Sequence, residues 1–250
     1  MNDVSSCATS ISPPSSDGVS ALKALLVNTA TVAGVIGVAQ DGEILAEVQL
    51  ALTTASNKVI SAIDEAILES RCRLHDMDAI LLTKGPGTFT GTRVGVSIAK
   101  GIAYALPCSL ASISTLEAVA WAGIHALDSV CEYESVWALL DARRNEFYAQ
   151  RFVYHDGILQ SQAQGICGGS IVLDAVLHSR GLAACAFSPE LLTGLNLHDW
   201  PEVAWQFDAH PTCRSMIAAG IHALGEDPLS LEPVYLRTTE ELFDRPRSLG

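Results

Sequence analysis

The sequence predicts an α/β protein made of two duplicated lobes, each with a mixed sheet. Three observations predict it. A strand–turn–strand pattern that runs through an Asp-Gly turn into a third strand occurs twice, once around Asp41-Gly42 and again around Asp156-Gly157. Helical periodicity follows the first three strands, and a glycine-rich loop joins a later strand to a helix. A duplication on this scale is a lobe, far longer than a solenoid repeat.

Ordered structure is expected from near Lys23, after a Ser/Pro-rich segment over residues 1–20 that reads as a disordered tail. Ala24 to Val27 and Gly34 to Val38 are short apolar strand runs, and Asp41-Gly42 turns the chain into a third strand over Ile44–Leu50. From Ser56 to Glu69 the spacing becomes helical, with Val59, Ile63 and Ile67 on one face, Ile60 beside them, and Ser56 or Asn57 as cap. Ala79–Leu82 is a strand, followed by the loop Gly85–Gly91, a helix over about 92–105, a strand near Ser109–Ala111 and a helix from Thr115 to Ala126. The second half repeats the opening. Val136–Leu140 ends in Asp141 where the first strand ends in Asn28, Glu146–Tyr154 pairs back, and Asp156-Gly157 leads into Ile158-Leu159. The expected organisation is a tail over 1–20, a first lobe over 21–114, a second over 115–237 and a loose polar tail over 238–250.

Composition narrows the function. The chain has 250 residues, 49% of them hydrophobic, and acidic residues outnumber basic ones 28 to 15 for a formal charge of −13. Tight direct binding of nucleic acid needs a basic footprint, so any nucleic-acid substrate is expected to be held by another protein. No apolar run is long enough to span a membrane, and residues 1–20 lack Lys, Arg and an apolar core, so a cytoplasmic location is expected. The seven cysteines are scattered with no C-x-x-C pair, which argues for reduced thiols over a disulfide framework or a zinc site.

The loop Gly85–Gly91 is the most informative stretch. Backbone amides and a helix dipole at a strand-to-helix junction can hold an anion. Gly85, Gly87, Thr88, Thr90 and Gly91 are therefore candidate anion or nucleotide contacts, with Lys84, Arg93 and Lys100 around them. No Gly-Lys-Ser/Thr follows, so this is not a Walker A loop, and a plain strand-to-helix turn remains open. Along the following helix, Gly91, Gly95, Ala99 and Ala103 form a small-residue stripe with Val94, Ile98 and Ile102 alongside. Interior glycine costs about 1 kcal/mol relative to alanine, so a compensating close contact is expected at Gly95 and Gly101. Either this stripe packs internally on the 56–69 helix, or both helices line a subunit interface.

No catalytic signature emerges. The histidines show neither H-E-x-x-H nor H-x-x-x-H spacing, and there is no G-x-S-x-G. Asp141 and Glu146 are candidate carboxylates, but Arg143 and Arg144 between them point to ion pairing across a hairpin.

The run Gly85-Pro86-Gly87-Thr88-Phe89-Thr90-Gly91-Thr92-Arg93-Val94-Gly95, continuing to Gly101, resembles the signature of the TsaB (YeaZ) family, bacterial proteins required for threonylcarbamoyladenosine modification of tRNA. Leu26–Ala30 resembles the family's opening strand, Asp141–Tyr148 its second-lobe motif and Glu232–Arg237 its C-terminal signature. The resemblance implies an actin-like (ribonuclease H-like) ATPase fold. It also implies a non-catalytic subunit that heterodimerises with TsaD, with the small ATPase TsaE as a further partner, homodimers in the absence of TsaD, and tRNA held only indirectly. The partner interface implied includes Val59, Ile63, Ile67, Gly91, Val94, Gly95, Ile98, Ala99, Ile102 and Ala103.

Two departures bear on chemistry. Actin-like ATPases carry an Asp at the end of the first strand to organise a metal-bound nucleotide, and here that position is Asn28, a weaker ligand for a hard cation. The segment Thr53–Ile60 lacks the histidine pair that binds metal in the catalytic relative. No metal and no cofactor of its own is therefore expected, with any ATP or ADP lying at the partner interface. The competing expectation is an enzyme of the same fold, a phosphotransferase or glycopeptidase-like hydrolase using Asp141.

Overall fold

The computed structural model describes residues 22–51, 57–127, 133–220 and 225–237. The two expected tails, the Ser56 cap and the rest of Thr53–Ser56 lie outside the described residues.

The first sheet has the order β3-β2-β1-β4-β5: β1 (Lys23–Asn28), β2 (Ala33–Gln40), β3 (Glu43–Ala51), β4 (Ala79–Thr83) and β5 (Ser109–Ile113). β1, β2 and β3 are antiparallel neighbours, while β1, β4 and β5 run parallel. The second sheet repeats this as β8-β7-β6-β10-β11: β6 (Tyr133–Arg143), β7 (Glu146–His155), β8 (Ile158–Ser161), β10 (Gly181–Cys185) and β11 (Val203–Gln206). Here too three strands form an antiparallel meander and two continue in parallel. A short β9 (Ile166–Gly168) adds to the free side of β7. Both hairpins between second and third strands turn on an Asp-Gly pair with positive φ at each residue, 51° and 84° in the first lobe and 51° and 76° in the second. Such turns match the right-handed twist of the flanking strands.

Both sheets are covered on both faces, and the alternation along each strand sorts residues between the layers. In β1, Leu25 and Val27 face a core shared with α1 (Asn57–Glu69) and α2 (Phe89–Ala105), whereas Leu26 faces one shared with α5 (Cys213–Gly220). In β6, Val136, Ala138 and Leu140 meet α3 (Thr115–His125), while Trp137 and Leu139 face outward under α4 (Ser170–Leu177). The layers therefore run α1 and α2, first sheet, α5 with α3, second sheet, α4. The helix expected from about residue 92 starts one turn earlier, at Phe89, with Thr88 in extended backbone before it.

Residues 225–237 run back along the β5 edge, where Leu110 bridges Glu226, and reach the second lobe at Leu236 and Arg237. No helix among the described residues is long and apolar enough to cross a membrane. None of the five described cysteines forms a disulfide.

Candidate functional site

A cleft of about 480 Å³ opens between the lobes. Its first-lobe wall is small and neutral, formed by Ala30, Thr31 and Val32 from the β1–β2 turn and by Gly87 and Thr88 from the glycine loop. Its second-lobe wall carries Leu140, Asp141 and Arg143 at the β6–β7 turn, then Phe187, Glu190, Asp208 and His210 from the loops around β10 and β11.

Asn28 lies at the end of β1 and is completely buried. Its carboxamide is spent inside the lobe. Nδ2 donates to Thr31 Oγ1 at 3.0 Å and to the Ala33 carbonyl at 3.4 Å, and Oδ1 accepts from Ala30 N–H at 3.2 Å and from the Thr83 hydroxyl at 2.8 Å. The Thr31 hydroxyl donates onward to the Ala33 carbonyl at 2.6 Å. This network needs a side chain that both donates and accepts, which the neutral amide supplies and a carboxylate does not.

The glycine loop is clamped onto the same turn. Thr88 N–H donates to the Ala30 carbonyl at 2.7 Å, and Thr29 Oγ1 donates to the Gly91 carbonyl at 2.7 Å. A methyl group on Gly87 would sit 2.1 Å from the Ala30 oxygen, and one on Gly91 2.0 Å from the Thr29 oxygen. Glycine is thus required by close backbone approach within the lobe. Of the five candidate anion contacts only Gly87 and Thr88 line the cleft. Gly85 is buried against the Val234 carbonyl, half-buried Gly91 lies against the Thr29 carbonyl, and Thr90 is exposed on α2. Lys84 pairs with Glu226 at 3.5 Å, Lys100 donates to the Leu229 carbonyl, and the Arg93 guanidinium lies 3.8 Å over the Phe89 ring.

At the second lobe, Asp141 accepts from the Arg143 amide at 2.7 Å and pairs with the Arg143 guanidinium at 3.2 Å, as a hairpin ion pair. Glu146 pairs instead with Arg237, a residue distant in sequence. Arg143, Arg144 and Asn145 all have positive φ, at 67°, 57° and 58°. Burial pushes the His210 imidazole below its usual range, against the opposing pull of Asp208. Asn28 and the Thr88 amide are thus engaged internally, and Asp141 is held by Arg143. Among the described residues no cluster of three His, Cys, Asp or Glu could hold a metal ion.

The residues of the expected partner surface divide between the core and the surface of the first lobe. Val59, Ile63, Gly95 and Ala99 are buried within the first lobe, Val59 and Ala99 completely. The small-residue stripe faces inward, where a Cβ on Gly95 would lie 2.3 Å from Thr29 Oγ1. At Gly91 and Gly95 its close contact is with Thr29 of the β1–β2 turn, while Ala99 packs in the core that α1 shares. Ile67, Gly91, Val94, Ile98, Ile102 and Ala103 are half-buried, and the exposed large apolar residues on the two helices are Ile60, Leu68, Phe89 and Tyr104. Sequence reasoning missed Phe187, Glu190, Asp208 and His210 because they come from separate loops with no shared spacing.

Two like lobes, each a five-strand 3-2-1-4-5 sheet, with a cleft between them at the ends of their first strands, define the actin-like fold. The comparisons then narrow the family. A family model described as "TsaD: tRNA N6-adenosine threonylcarbamoyltransferase" matches residues 49–167. The chain is 25% identical over 236 residues to the tRNA threonylcarbamoyladenosine biosynthesis protein TsaB of Escherichia coli, covering 86% of this chain and 95% of that one. It is 35% identical over 132 residues to the TsaB of Haemophilus influenzae, a stretch that is 53% of this chain and 54% of that relative. In structure it is similar to YeaZ from Pseudomonas aeruginosa, with a TM-score of 0.67 at 19% identity over 86% of this chain and 100% of that one. The chain is thus similar in sequence to TsaB proteins and in fold to YeaZ.

Proposed function

We propose that this chain takes part in threonylcarbamoyladenosine biosynthesis on tRNA as a non-catalytic subunit that docks on a TsaD-type transferase. The names of its relatives support the pathway. The observation that carries the non-catalytic reading is the buried Asn28 network, which occupies the position where chemistry would need a free carboxylate. The net charge of −13 fits a protein that leaves the tRNA to its partner.

The docking surface is the outer face of α1 and α2. Ile60, Leu68 and Tyr104 are exposed there, 51%, 79% and 86%, beside half-buried Val94, Ile98 and Ile102. Exposed apolar residues flanking a half-buried seam suit a helix-on-helix interface. The same face would serve a homodimer when the transferase is absent, and TsaE is a further partner. Any ATP or ADP belongs at the heterodimer interface.

Light scattering on this chain mixed with the TsaD of the same organism tests the reading. A one-to-one complex is expected, lost in Leu68→Arg and Tyr104→Glu, whose side chains carry little of the fold. No complex with or without nucleotide, together with phosphotransfer by the chain alone, would overturn it.

A further inference from the structure

Residues 225–237 form a strap with grips on both lobes. The amides of Gly225 and Glu226 both donate to the Leu110 carbonyl, at 3.1 and 2.9 Å. The Glu226 carboxylate receives the Ser112 hydroxyl, Leu231 is fully buried in the core under α1 and α2, and Val234 N–H donates to the Lys84 carbonyl at 2.7 Å. Tyr235 then meets α2: its hydroxyl accepts from Arg93 Nε at 2.9 Å, and its ring lies 5.5 Å from that of Phe89. The next two residues belong to the second lobe. Leu236 packs on the core under α3, and Arg237, 8% exposed, donates to the Ala142 carbonyl at 3.1 Å and pairs with Glu146.

This crossing is short. Three residue steps separate Val234, tied to Lys84, from Arg237, tied to Ala142, and fully extended they reach about 10 Å. Ala142 and Glu146 flank the left-handed residues Arg143, Arg144 and Asn145, and Asp141 and Arg143 line the cleft. Left-handed backbone is unfavourable for most residues other than glycine, so the anchors on either side help to hold the hairpin in this shape.

We infer that the strap is a latch, which fixes the angle between the lobes and couples the outer surface of α2 at Phe89 and Arg93 to the β6–β7 hairpin at the cleft. Displacing Arg93 removes the bond that holds the Tyr235 hydroxyl and leaves its ring held by Phe89 alone, and Tyr235 lies only two residues from the second grip at Arg237. The coupling acts through backbone continuity and concerns this chain alone, independent of any partner.

Hydrogen exchange on the full chain tests it. In Arg93→Ala and in Arg237→Ala, amides of residues 141–147 are expected to exchange about threefold faster or more, the scale on which a change along a connecting element shifts a local opening equilibrium. Amides of β4 serve as the reference and should not change, since general destabilisation would speed them as well. Gly101→Ala, on α2 but with nothing within 4 Å of the added methyl, should leave the hairpin unchanged. Acceleration confined to α2 and the strap in Arg93→Ala would overturn the coupling. Should either alanine variant fail to fold, Tyr235→Phe removes only the hydroxyl that Arg93 holds. A smaller acceleration at 141–147 would then support the latch, and none would overturn it.

Discussion

Replacing Asn28 with Asp tests whether the cleft can be returned to metal-nucleotide chemistry by one change. In the folded protein the new carboxylate would sit fully buried, with one oxygen 3.0 Å from Thr31 Oγ1 and 3.4 Å from the Ala33 carbonyl. The Thr31 hydroxyl already gives its proton to Ala33, so that oxygen would face acceptors. A protonated carboxyl group at this position, in contrast, donates much as the amide does. Burial and the missing donor both raise the folded-state pKa above the unfolded value of about 3.9. A group raised in this way keeps its contribution below the unfolded pKa and loses it as pH climbs towards the folded one. The cost of the substitution should therefore be small near pH 4 and grow by about 1.4 kcal/mol per pH unit, reaching about 4 kcal/mol at pH 7 if the group stays neutral throughout. That is a large share of a typical domain stability of about 5–15 kcal/mol. Urea unfolding of parent and variant between pH 4 and 8 gives the difference directly. Equal stability at pH 7, together with newly acquired Mg-ATP binding, would refute the reasoning.

The remaining predictions follow from burial and close approach. Gly95→Ala should destabilise by about 1–3 kcal/mol in denaturant titrations, since its methyl meets Thr29 Oγ1 at 2.3 Å. Gly101→Ala on the same helix meets nothing and should stabilise by roughly 0.5–1 kcal/mol. His125 and His210 are both held below the usual imidazole range, first by burial. The unfolded chain thus takes up protons that the folded one resists, and stability should fall as pH drops below about 6.5. Thermal melts from pH 7.5 to 5.5 should show a flatter profile in His125→Gln, and an unchanged profile would count against this role. Glu117, raised by burial, acts in the opposite direction at lower pH, so the histidine variant isolates the effect.

Much of the fold could be read from residue order because its signals are local. The Asp41-Gly42 and Asp156-Gly157 turns, the apolar runs of β1, β2, β4 and β6, and the 3.6-residue spacing of α1 each depend on neighbours in the chain. The stretch holding β9, α4, β10, β11 and α5 gave no such signal, because its elements are short and take their stability from layers laid down by distant segments. The expectation that Gly95 and Gly101 both need a close neighbour fails at Gly101, where an added methyl meets nothing within 4 Å; at Gly95 the neighbour exists, but spacing alone could not name it. It is Thr29, brought there by the parallel pairing of β1 with β4.

What the sequence by itself determined is the duplicated α/β plan, the neutral residue at the end of the first strand and the glycine loop, since each rests on local backbone chemistry. Only the tertiary structure decided that Asn28 is turned inward and that Glu146 is paired with Arg237 rather than with a hairpin arginine. Those partners lie up to 95 residues apart, as in the bond from Arg237 to Ala142, and such pairings are set by how the sheets and the strap meet in space.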